Sequence, residues 1–157
     1  MKRIILIIIC LIVTGCFNNT KINLSNKYYN EGNYIDIKSN QINQIKNDNY
    51  VIFTYNSYCN LEVPCETIFK KIMEKYKIDF LSIKIDEFKK TYLYKTVKYA
   101  PSVIIVKKQK IIAYLDSNKD EDIKKYEDEK EFEKWLQKYI NLKKTSTHSW
   151  QVPKIVV

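Results

Sequence analysis

The chain has 157 residues, enough for one ordinary domain with a substantial core and short for two. Hydrophobic residues make up 45% and charged residues 29%, with 13 tyrosines and 6 phenylalanines, a balance that excludes a disordered chain and permits an aromatic-rich core. The formal charge of +9 would draw the protein to anionic lipid head groups, yet an Ile-, Lys-, Asn- and Tyr-rich composition gives the same excess as a solvated lysine surface, so charge alone selects no partner.

In chain order, Met1-Lys2-Arg3 is followed by the apolar run 4–13 and then by Thr14-Gly15-Cys16. A positive start, a short apolar stretch and small residues before a cut make a secretory signal, too short to remain as a membrane span. The ending Val13-Thr14-Gly15-Cys16 resembles the lipobox of bacterial lipoproteins, which implies removal of 1–15 and lipidation of Cys16. A plain signal peptide, or a buried strand with a chance cysteine, is the alternative. Loss of Lys2 and Arg3 would take the charge from +9 to +7, and export leaves no place for a nucleic-acid partner.

With Cys10 in the leader and Cys16 on the lipid, only Cys59 and Cys65 remain of four cysteines. An even pair in an exported protein argues for a disulfide or for a dithiol that cycles. His148, some 80 residues away, completes neither a four-ligand zinc site nor a convincing Cys-His nucleophile, so no metal or organic cofactor is implied.

Residues 16–32 read as a polar tether, flexible or loosely structured. Alternation over 34–38 predicts a short strand, and Ser39 can cap a helix to residue 46 with Ile42 and Ile45 inward. The run 50–55 predicts a strand buried on both faces. The cysteine segment follows it, and 66–77 then carries Ile68, Phe69, Ile72, Met73 and Tyr76 on one helical face. Both cysteines thus fall at a strand-to-helix junction, where unpaired amides and the helix dipole favour a thiolate. Residues 80–86 predict a strand, 87–98 a helix or two helical turns, 103–106 a buried strand, 107–110 a turn and 111–115 an antiparallel return without the usual Asn-Gly. The charged stretch 117–130 reads as solvated loop or helix, not as a binding site. A final helix over 128–142 puts Phe132, Trp135, Leu136, Tyr139 and Ile140 on one side, with Trp135 in the core. Residues 143–157 read as a tail whose apolar end could add an edge strand. Only Gly32 is left to serve a positive-φ position, so the turns are expected to rest on Asn, Asp and Ser.

Three landmarks over 34–142 together resemble the thioredoxin-fold family. The apolar strand runs into Tyr58-Cys59 and on to Pro64-Cys65 at a helix start; Tyr99-Ala100-Pro101-Ser102 precedes the strand 103–106 as a cis-proline loop would; and an amphipathic helix closes the domain. The resemblance implies an α/β fold with a central mixed β-sheet of four to five strands flanked by helices. It gives Cys59 the nucleophile's role and Cys65 the resolving role, with Tyr58, Ala100 and Pro101 facing substrate and the Ala100–Pro101 bond cis; a trans proline opening a strand is the alternative. The substrates implied are exported protein thiols or disulfides, with room for a membrane redox partner.

This sequence departs from the family in three ways. Five residues, not two, separate its cysteines; on one helix they would be about 9 Å apart in rise, beyond bonding range, so a bond requires the helix to begin near Pro64 with 60–63 looped out. Phe53 stands where thioredoxins carry a buried Asp, and Ser82 replaces a nearby Lys. The leading expectation is a lipid-anchored, extracytoplasmic thiol-disulfide oxidoreductase. The alternative is a non-catalytic lipoprotein of the same fold, with a structural Cys59–Cys65 disulfide, that binds a protein partner as accessory proteins of secretion or bacteriocin transport do.

Overall fold

The computed structural model describes residues 21–56 and 64–142. Five strands, β1 (Tyr34–Asp36), β2 (Asn49–Tyr55), β3 (Phe80–Lys84), β4 (Ser102–Lys107) and β5 (Lys110–Asp116), form one sheet in the order β1-β3-β2-β4-β5. The first three neighbours in that order are parallel, and β4 and β5 join antiparallel. The mixed sheet expected from sequence is thus present with five strands. Residues 50–53 of β2 and 103–106 of β4 are unbroken apolar runs, buried on both faces beneath the helices.

On one face lie α2 (Cys65–Tyr76), α4 (Asp120–Glu127) and α5 (Glu129–Tyr139). Their contact with the sheet is aromatic: Phe69 meets Phe53 edge-on at 5.5 Å and Phe132 at 4.2 Å between ring centroids, and Phe132 reaches Phe80 at 6.5 Å. Trp135 joins this core, as expected, stacking on Phe132. Because strand side chains alternate, Tyr50 points to the other face. There its hydroxyl pairs with that of Tyr92, beside α1 (Ser39–Gln44), α3 (Ile85–Phe88) and the 3-10 turn Tyr92–Lys95. The stretch 87–98 therefore becomes two short helical pieces, the first beginning at Ile85.

Two expectations are corrected. The 16–32 tether is described from Lys21 onward and from there belongs to the domain: Ile22, Leu24 and Tyr28 are buried, and Ile22 forms a parallel bridge to Ile140. Those three apolar side chains, spaced among Asn, Ser and Lys, made too weak a pattern to register as core. Turn chemistry is also different, since among the described residues the positive-φ positions outside glycine are Lys77, Lys108 and Gln109. Lys77 ends α2 in the left-handed conformation, and Lys108-Gln109 forms the two-residue β4–β5 turn with both φ angles positive, the geometry that usually selects Asn-Gly. Gly32 does take the positive φ expected of it, +84°.

Candidate functional site

The chain leaves the C-terminal end of β2 and re-enters the described structure at Pro64, which caps α2 with φ −60°. Cys65 is the first helical residue. Helix onset at Pro64 is the condition that the wide cysteine spacing sets for a bond. The onset follows from proline's fixed φ and from its lack of an N–H, a group that would be unpaired there anyway. Cys65 is 2% exposed. Its position in the first turn sets it at the positive end of the helix dipole, with Glu66 as the only acid of that turn.

Across the junction, β4 begins at Ser102, and the Ala100–Pro101 peptide before it is cis, as the family resemblance implied. Ser102 faces Thr54 in the β2–β4 register, so this loop lies at the end of the sheet from which β2 runs toward the cysteines. The Ser102 hydroxyl donates to the Tyr99 carbonyl at 2.7 Å and ties the loop back on itself. Ala100 and Pro101 are half-buried, whereas Tyr99 is an exposed large side chain. Cys16, Tyr58 and Cys59 lie outside the described residues.

Two tyrosines that the sequence did not single out complete the surroundings of Cys65. Tyr126, 1% exposed, donates its hydroxyl to the Pro101 carbonyl at 3.0 Å and lies against Phe69 of α2 at 5.8 Å. Burial pushes its phenol well above the usual range, and electrostatic interaction with Cys65, Asp122 and Asp116 adds to the shift against a Ser102 hydrogen bond that opposes it. Tyr34 donates to the Glu66 carbonyl at 3.1 Å; its phenol is raised first by burial and then by Glu66 and Cys65. Both hydroxyls are therefore neutral donors at any physiological pH. One holds the helix start and the other the cis-proline loop.

Tyr126 was hidden by its context, a run of Asp, Glu and Lys read as solvated. In α4 it shares its buried side with Asp122, four residues earlier, whose carboxylate accepts from the Asp116 amide at 3.0 Å. That i, i+4 relation was the available signal.

The two substitutions relative to the family pattern have structural consequences. Phe53 fills its position with hydrocarbon, packed on Tyr34, Tyr55 and Phe69. The Ser82 hydroxyl donates to Asp36, a carboxylate on the exposed edge strand and not in the core. Thr54 Oγ1 is buried with no hydrogen-bonding partner among the described residues. Among those residues, no group of three or more His, Cys, Asp and Glu side chains is placed to hold a metal.

No protein-family model matches the sequence, and no curated protein sequence matches it. Solved structures do. A mutant thioredoxin from Halobacterium salinarum superposes with a TM-score of 0.52 at 13% identity, over 73% of this chain and 96% of that one. Thioredoxin from Schistosoma mansoni is 21% identical over 71% of this chain and 99% of that one, with a TM-score of 0.48. The fold is thioredoxin-like, and at these identities the likeness extends to the fold alone.

Proposed function

We propose that the protein is a thiol-disulfide oxidoreductase of exported proteins, anchored outside the cytoplasm by lipid on Cys16, with Cys59 as nucleophile and Cys65 as resolving cysteine. The observation that carries this reading is the setting of Cys65. It is buried in the first turn of α2 and borders Tyr126, whose hydroxyl holds the carbonyl of cis-bonded Pro101. A sheltered second cysteine beside a peptide-facing loop suits resolution of a mixed disulfide and not first attack.

The chemistry balances without a cofactor. The Cys59 thiolate attacks one sulfur of a substrate disulfide, forming a mixed disulfide and releasing one substrate thiolate. The Cys65 thiolate then attacks the Cys59 sulfur, forming the intramolecular disulfide and releasing the second substrate thiolate. The substrate gains two electrons, and the protein must be reduced by a thiol or membrane partner to act again. Run backwards, the same steps oxidise a substrate dithiol. Phe53 in place of a buried carboxylate removes a proton acceptor from the core, so the second step is expected to be slower than in a protein that has one.

A Cys65→Ser variant expressed in the native compartment should accumulate mixed disulfides through Cys59, and a Cys59→Ser variant should not. A redox titration of the native pair should give a potential above about −300 mV. The absence of trapped species, together with a pair that glutathione does not reduce, would overturn this reading in favour of a partner-binding protein with a structural disulfide.

A further inference from the structure

The end of the sheet opposite Cys65 gathers lysines from three separate connections. Lys21 lies at the entry of the chain, Lys46 before β2, and Lys107, Lys108 and Lys110 at the β4–β5 turn; all five are exposed. The backbone fixes them at one pole. Asn49, the first residue of β2, pairs with Lys107, and Lys107 pairs with Lys110. The Lys108 amide donates to the Asp48 carbonyl at 3.0 Å, and Asn49 Nδ2 donates to the Asn23 carbonyl at 2.8 Å. Acids there offer little compensation. Asp48 is engaged by Lys27, and Asp79 is buried on the Gly32 and Asn33 amides. Glu31 is the exposed acid of the neighbouring connection.

The chain also enters the domain at this pole. The Ile22 amide donates to the Tyr139 carbonyl, and Asn141 donates back to Ile22, both at 2.8 Å. Packing of Ile22, Leu24 and Tyr28 leaves only 17–20 between Cys16 and Lys21. Five residue steps reach at most about 17 Å. An anchor on Cys16 therefore keeps Lys21, at the edge of the lysine pole, within about two Debye lengths of the lipid head groups.

We infer that this lysine pole is a docking surface for an anionic lipid leaflet, holding the domain upright so that the Cys65 end faces away from the membrane. The inference uses lipid attachment at Cys16 for its short tether. β2 alone, with seven residues, sets the two ends roughly 20 Å apart.

The test uses the lipidated protein in vesicles of phosphatidylcholine with or without phosphatidylglycerol, with amine acylation read residue by residue. Acylation of Lys46, Lys107, Lys108 and Lys110 should slow several-fold only in the anionic vesicles and recover at high salt. Lys84 and Lys89, beyond the opposite end of the sheet, should not change. Equal rates in both vesicle types, slowing that salt does not reverse, or equal slowing at Lys84 and Lys89 would overturn the inference. The mass of the Cys16 peptide tests the anchor independently. If Cys16 carries no lipid, salt-sensitive binding of the unlipidated chain to phosphatidylglycerol vesicles still supports the surface, and no binding overturns it. Neutralising Lys107, Lys108 and Lys110 to Gln should weaken that binding on the order of a hundredfold, at roughly fivefold per lysine.

Discussion

At the scale of single residues, much of the polar order is carried by side chains that satisfy backbone amides. Glu87 accepts from Lys90 and from both the hydroxyl and the amide of Ser39, the first residue of α1. Those donors, Lys90 first, hold its carboxyl down at about 2. A carboxylate whose folded pKa lies below its unfolded value stabilises the fold above the unfolded pKa, and the contribution is lost as pH falls toward the folded one. The window is therefore from about 4.3 down to about 2. In a carboxyl NMR titration the Glu87 midpoint should lie near the bottom of that window, and Ser39→Ala should move it upward. A midpoint already in the ordinary carboxylate range would disprove the interaction. Asp128 does similar work at α5, accepting from the backbone amides of Glu131 at 3.0 Å and Lys130 at 2.7 Å, which depress its carboxyl pKa.

Elements are joined at a few tight points, and Gly32 is one of them. Its amide donates to Asp79, its carbonyl accepts from Lys70 at 2.7 Å, and its φ of +84° is one that L side chains rarely adopt. A Cβ there would meet the Glu74 nitrogen and the Met73 carbonyl at 2.6 Å, all of it α2 backbone that cannot rotate away. Gly32→Ala should thus cost about 2–4 kcal/mol in urea unfolding, with an unchanged slope. A loss under about 1 kcal/mol would mean that the connection is looser than described. Gly32 was legible as a turn glycine because the sequence has only one other, Gly15, which ends the apolar N-terminal stretch, but its partner helix was not. The same holds more widely. Continuous apolar runs exposed β2 and β4, and helical spacing exposed α2 and α5, since each pattern states locally what burial requires. The roles of Tyr126 and Asp79 were not legible, because each is explained by a neighbour far off in sequence; the 107–110 turn was read from the sequence, but not the positive φ of Lys108 and Gln109. Of the candidate site, Cys65 and Pro101 could be read directly, and the tyrosines that hold their backbone surroundings could not.

For the whole molecule, the largest change from sequence to structure is where the domain begins. A loose tether would tolerate any substitution, whereas Leu24 is 3% exposed within the main core. Leu24→Ala should destabilise the protein by roughly 2–4 kcal/mol, as a buried leucine does and an exposed one does not. A change within about 0.5 kcal/mol would return 21–31 to the tether.

The bridge between Ile22 and Ile140 also bears on the order of assembly. Asn23 and Asn141 touch across 118 residues, and the backbone bonds beside them join the first described segment to the end of the last helix. During synthesis the N-terminal segment emerges first, yet its seat is made only when α5 has followed. Ile22 therefore cannot take its bridge before Ile140 has been made. Contacts so distant in sequence carry the full entropy of closing the chain and gather late. Until then the first described segment offers Ile22 to whatever accompanies the growing chain.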